Sequence, residues 1–210
     1  HANARTRTNT RANARKRTHT HTHAHARTHA RTKTNANALA FLRAIVDALA
    51  WAFAHPRFDD VARVGTLFEL DGSLSDLVYF GTGSHESYPD RKIGRIARYV
   101  STVAAQYIPY VRPQENGGHA AVRWFEVTNS AGNGLRFAMG KPAQVSVTPN
   151  RDAELADATH DVEVKACGNT VVHIDAAHRG VGTASCGPDT LDKYIIKTGV
   201  HTWEWTVTQI

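Results

Sequence analysis

Thr202-Trp203-Glu204-Trp205-Thr206-Val207-Thr208, close to the C-terminus, alternates without interruption between large apolar and polar or small side chains. Successive side chains of an extended chain point to opposite faces, so this spacing predicts a strand with one face buried. Further β-rich runs precede it at Val122–Val127, Leu135–Met139, Gln144–Val147, Thr170–Ile174 and Tyr194–Lys197. Turn signals separate them, at Asn116-Gly117-Gly118, Asn133-Gly134, Pro149-Asn150 and Gly187-Pro188. Many short strands at such spacing predict an all-β, antiparallel sandwich from about Val61 onward. One short helix is expected at Asp152–Ala158, with Asp152 as its N-cap.

Toward the N-terminus the pattern gives way to two other compositions. Residues 39–54 are strongly apolar, and Leu39, Leu42, Ile45, Val46, Leu49 and Phe53 recur near helical spacing. They predict a helical linker or extension over residues 39–60, with the helix stopped by Pro56. Arg43 and Asp47 interrupt the run, which is shorter than the roughly 20 residues that span a bilayer. No membrane association is expected, and no secretory signal is recognisable. Residues 1–38 place Ala or Thr at nearly every even position. Such small side chains bury too little to offset ordering entropy, so this tract is expected to be disordered.

Charge follows the same division. The chain of 210 residues has a formal net charge of +6, but residues 1–38 hold nine Lys or Arg and no acid, and the remainder is mildly acidic. The five histidines His19, His21, His23, His25 and His29 have spacing that can chelate zinc or nickel, and the arginines can attract polyanions. The reading preferred here is a compositional tract without selected chemistry, so nucleic acid is not an expected partner. Two cysteines, Cys167 and Cys186, make no disulfide framework and suit a reduced, cytoplasmic setting.

Three stretches concentrate special residues: Tyr79-Phe80-Gly81-Thr82-Gly83-Ser84-His85-Glu86-Ser87-Tyr88-Pro89-Asp90-Arg91, Tyr107-Ile108-Pro109-Tyr110-Val111-Arg112-Pro113-Gln114-Glu115-Asn116-Gly117, and Gly180-Val181-Gly182-Thr183-Ala184-Ser185-Cys186-Gly187-Pro188. In order and spacing they resemble the C-terminal, small-chain region (domain five) of β-galactosidases of glycoside hydrolase family two. That region carries W-Y-G-x-G-P-x-E-x-Y-P-D-R, then P-Y-V-x-P-Q-E-N-G, then G-x-G-G-D-D-S-W-x-P. The resemblance runs over residues 61–210. Tyr79 stands for the usual Trp and Ser84 for Pro, and Thr183-Ala184-Ser185-Cys186 replaces G-D-D-S-W in a shortened loop.

The resemblance implies a large antiparallel supersandwich of the galactose-mutarotase-like kind, here incomplete because its early strands are missing. It implies a retaining β-galactosidase acting on lactose and similar galactosides. The two catalytic glutamates would lie on a separate TIM barrel or large chain, and the Mg and Na or K ligands on other domains. No segment here resembles that barrel, which needs about 250 residues. This chain is therefore expected to carry no catalytic residue and to bind no metal or other cofactor. Cys186 falls where the family's Trp stacks on the aglycone sugar, so it is the expected substrate-binding residue, with a smaller, softer surface than a ring. Some enzymes of this group also resemble this sequence in having Cys there.

Other roles are weaker. Glu86 and Glu115 sit in loops but are expected to fix them, Glu86 with Asp90 and Arg91, and Glu115 with Asn116. Cys186 lacks the G-x-S-x-G context of a nucleophile elbow. His85 and His160 are expected to be hydrogen-bonding spacers, and Trp124, Trp203 and Trp205 to be core residues. An independent carbohydrate-binding module is the alternative function; galactose or lactose binding by the isolated chain would favour it.

Overall fold

The structure is a computed structural model that describes residues 40–46, 60–182, 187–197 and 200–210, the first of these as backbone only. The expected disordered tract over residues 1–38, and Cys186 itself, lie outside the described residues.

Eight strands among the described residues form one antiparallel sheet: β1 (Ala40–Val46), β2 (Arg63–Asp71), β3 (Asp76–Gly83), β4 (Arg95–Thr102), β5 (Gly118–Thr128), β6 (Gly134–Thr148), β7 (Asn169–His178) and β8 (His201–Gln209). The order β1-β8-β6-β5-β3-β4 makes one leaf, and β7 and β2 continue from the far half of β6. The branch has a simple origin. Leu135–Met139 of β6 pair with β8, whereas Gln144–Thr148 pair with β7. Between them Gly140-Lys141-Pro142 are exposed, where the β5 register shifts and a proline costs no ladder bond. The sequence presents this element as two strands, and the structure joins them into one bent strand of 15 residues.

The bend turns one sheet into a sandwich. Phe68 of β2 is no ladder neighbour of β6 or β8. Its ring nonetheless lies 5.5 Å from Phe137 of β6 and 5.6 Å from Trp205 of β8, so the β2–β7 leaf packs across the other. Leu77, Phe125, Val127, Phe137, Val145, Val172, Ile174 and Trp205 fill the space between. Every second residue of β8 faces this core, as the alternation of Trp203, Trp205 and Val207 requires.

The hairpin joining β5 to β6 is built by Asn129. Its carboxamide oxygen accepts from the Ala131 and Asn133 N–H groups at 3.0 and 3.1 Å, and Gly132 takes the positive φ of +82°.

Four expectations are corrected. Residues 40–46 are a strand and not part of a helix; they pair with β8 from Ala40↔Val207 to Val46↔His201, because an open sheet edge satisfies every second backbone group of an apolar run. Residues 47–59 lie outside the described residues. Tyr194–Lys197 is not a strand: Asp192–Tyr194 form a 3-10 turn, and Ile196 alone tucks against Val61 and Val64. The N-cap of helix α1 (Asp152–Asp157) is Arg151, whose N–H is received by the Glu154 carboxylate at 3.0 Å, while Asp152 meets Arg63 and His173. Trp124 lies on the outer face of the sheet, stacked on Phe80 at 6.2 Å, whereas Trp205 is core and Trp203 lies partly buried beside it.

Phe125 is fully buried and its ring stacks on Phe137 at 4.6 Å. Phe125→Ala is expected to cost about 3–5 kcal/mol in urea unfolding, and Val100→Ala, on an exposed face, no more than about 0.5 kcal/mol.

Candidate functional site

The three loop motifs are anchored by buried charge. The first leaves β3 at Gly83 and closes a tight turn in which Tyr88 and Arg91 exchange backbone hydrogen bonds of 3.0 Å. Glu86 is buried within it. Its carboxylate accepts from Arg91, from the Tyr110 hydroxyl, from Tyr88 at 3.4 Å and from the Gly117 N–H at 3.0 Å. Tyr110 and Gly117 belong to the second motif, so one carboxylate joins two loops. Gly117 has φ +69°, and a Cβ there would stand 2.6 Å from the Gln106 carbonyl oxygen, which explains the glycine. Asn116 fixes the adjoining turn through Gln114 O at 2.9 Å and Ile108 N at 3.4 Å.

Glu115 reaches elsewhere. It meets Arg63, at the start of β2, at 2.8 Å. Arg63 is only 3% exposed. Its guanidinium also contacts His173 Nδ1 at 2.8 Å, His178 Nε2 at 3.0 Å, Asp175 at 3.4 Å and Asp152 at 3.7 Å. Gly65 makes room for Asp175, since a Cβ there would come within 2.3 Å of its Oδ1. Burial works against charge at Arg63, but Asp175, Glu115 and Asp152 more than offset it and raise its pKa. Burial likewise opposes ionisation of Glu115, yet Arg63 and His178 hold its pKa down at about 2. Burial pushes His178 downward, and the Glu115 carboxylate overcomes that and raises it. This cluster ties the second motif, through Glu115, to β2, β7 and α1.

The third motif is gripped at both legs. Asp90, from the first motif, accepts from the N–H groups of Val181 and Gly182 at 3.0 Å each and from Thr190 Oγ1 at 3.2 Å. Burial acts to raise the Asp90 pKa, and the Gly182 and Val181 N–H groups bring it below the ordinary carboxylate value. Arg179 donates to the carbonyls of Gly180 and Gly182 at 3.2 and 3.0 Å and pairs with Asp60 and, at 2.8 Å, with Asp189. Gly180 packs so closely on Asp90 that a Cβ would lie 2.7 Å from its carboxyl carbon. The loop carrying Cys186 thus leaves and re-enters the fold through two adjacent clamps.

These contacts define what the loops can do. Glu86 with Arg91 is the expected loop-fixing pair, but Asp90 fixes a different loop from theirs, and Glu115 serves Arg63 more than its own turn. His160 is exposed and takes part in a local cap with Thr159 and Glu163, while His85 is exposed in the first motif. The carboxylates and imidazoles around Arg63 enclose a guanidinium, and no group of three His, Cys, Asp or Glu among the described residues is arranged to hold a metal ion. No helix of the described residues is long and apolar enough to cross a membrane. Sequence reading missed Arg63, His178, Asp175 and Arg179. The one signal for Arg63 is a lone cation in the run Val61-Ala62-Arg63-Val64, at a position where a charge must find partners if buried.

A β-sandwich with three mutually clamped loops at one end defines the class: an all-β module that presents loops from a rigid scaffold. Comparison with known sequences narrows this. The chain belongs to the β-galactosidase small chain family, whose model matches residues 2–208, farther toward the N-terminus than the three motifs reach. It is 28% identical over 164 residues to the β-galactosidase of Arthrobacter sp. (strain B7), covering 75% of this chain and 16% of that protein. It is 32% identical over 124 residues to the Priestia megaterium β-galactosidase, covering 59% and 12%. With the Streptococcus thermophilus β-galactosidase it shares 34% identity over 128 residues, covering 60% and 12%. The chain spans only 12–16% of the length of these relatives.

Glu115 has its pKa lowered from 4.5 to about 2, so its stabilisation is complete above the ordinary value and lost as pH falls toward 2. Glu115→Gln, which leaves Arg63 short of a charge partner, is expected to destabilise by about 3 kcal/mol at pH 7. The wild-type and variant stabilities, measured by urea unfolding between about pH 7 and pH 2, should converge on acidification.

Proposed function

We propose that this chain is the C-terminal, non-catalytic portion of a retaining β-galactosidase, and that it lines the aglycone side of an active site built mainly by a catalytic barrel region. The observation that carries this reading is the way the described carboxylates of the three motifs are used. Retaining hydrolysis needs two carboxyl groups about 5–5.5 Å apart, one a nucleophile and one able to give up a proton. Glu115 is held ionised by Arg63, which unsuits it as an acid. Glu86 is surrounded by Arg91, two tyrosine hydroxyls and a backbone N–H. Asp90 spends both oxygens on the third loop. These groups are spent on guanidinium, hydroxyl and backbone partners that position loops.

What the scaffold delivers is the Cys186 loop. Gly180, Val181 and Gly182 are pinned before Cys186 in the sequence, and Asp189 and Thr190 after it. Cys186 would then offer the aglycone a polarizable contact without a ring face, and Asp90 and Arg179 act as positioning residues for it. Lactose and related β-galactosides are the substrates of the assembled enzyme, in the cytoplasm. The metal ions implied by the resemblance are assigned to the other portion.

The isolated chain should not turn over an aryl β-galactoside, and a steady release of aryl alcohol by the pure chain overturns the reading. In an assembled enzyme Cys186→Trp should lower KM for lactose about threefold to tenfold through ring stacking, with kcat for the aryl substrate little changed. No change in the lactose KM would count against the assigned place of Cys186.

A further inference from the structure

The outer face of the β4–β3–β5 corner is unusual for a solvated sheet face. Cross-strand pairing aligns Val100 with Val78 and Arg98 with Phe80, and Phe80 in turn with Trp124. Ile96 is 50% and Val100 70% exposed, both on the strand that forms the end of this leaf. β4 pairs with β3 alone among the described residues, so its other edge presents free backbone donors and acceptors. Such an edge beside exposed β-branched side chains invites another chain. Phe80 and Trp124 extend the apolar strip inward, with Arg123 5.6 Å above one ring and Arg136 4.3 Å above the other.

Charge and length select what covers it. Arg95 and Arg98 lie on β4 itself, and Arg123 and Arg136 rise from the same face. A partner with an apolar centre and acidic rim fits. The relatives are six to eight times longer than their matched segments, so most of a β-galactosidase remains to be placed against this module. We infer that the β4 edge and the outer face around Ile96, Val100, Phe80 and Trp124 form the surface on which the remainder of the β-galactosidase docks, through an apolar surface ringed by carboxylates. The inference rests on the proposed reading of the chain as part of that enzyme.

The test uses the whole 210-residue chain and the Streptococcus thermophilus β-galactosidase from which its matched 128-residue segment has been deleted. Binding is followed by analytical ultracentrifugation, with thermal melting as a check on folding. The wild-type chain should form a complex, and Ile96→Glu/Val100→Glu should weaken it at least tenfold with an unchanged melt. Val162→Glu, at a residue 88% exposed and outside this face, should bind like wild type. Equal binding by the double variant, or equal loss with Val162→Glu, overturns this surface and leaves the module reading standing. No binding by the wild-type chain overturns both.

Discussion

A buried guanidinium constrains this fold more than any other single group. Arg63 stands at the first position of β2, almost without solvent, where an unpaired cation would be prohibitively unstable. Its partners come from three places in the chain: Glu115 from the second motif, Asp152 from α1, and His173, Asp175 and His178 from β7. Those segments must therefore arrive together or not at all. Apolar packing of Phe68 against Phe137 and Trp205 holds the two leaves together. The charge cluster sets how the leaf edge and the loops beside it are oriented.

From that cluster order spreads outward by single links. Glu115 and Gly117 belong to one loop, and Gly117 hands its N–H to Glu86 of the first motif. Asp90, four residues on, receives two N–H groups of the third. Each link is a charge-assisted bond to backbone or side chain, stronger than a neutral one, and each crosses between segments distant in sequence. Loops held in this way can present side chains to another polypeptide region without losing entropy at the moment of assembly.

Much of the architecture was legible in the sequence, and the reasons differ by element. Alternation in β5 and β8 is strong because one face meets a core and the other does not, so period two appears in the residues themselves. The sequence shows β6 as two β-rich runs because Gly140-Lys141-Pro142 carries no strand pattern, and only the change of ladder partner shows the chain continuing. Residues 40–46 carry both helical and extended spacing, and pairing with β8, a tertiary effect, decides between them. Trp124 was read as core because alternation gives faces but not which face is buried. Of the site, the three motifs and the loop-fixing role of Glu86 were visible. Arg63 and Arg179 were not, since a single arginine in a sequence does not announce the carboxylates that surround it.

Cys186 offers the most direct probe of the whole account, because the proposed function assigns it to the aglycone side of the sugar site. The rate of Cys186 alkylation by iodoacetamide should be measured by peptide mass spectrometry, with Cys167 as internal reference, for the isolated chain and for the chain assembled into an active β-galactosidase. The expected result is that lactose slows alkylation of Cys186 several-fold in the assembled enzyme only, and leaves Cys167 unchanged. A Cys186 rate indifferent to lactose in an active assembly would contradict the account.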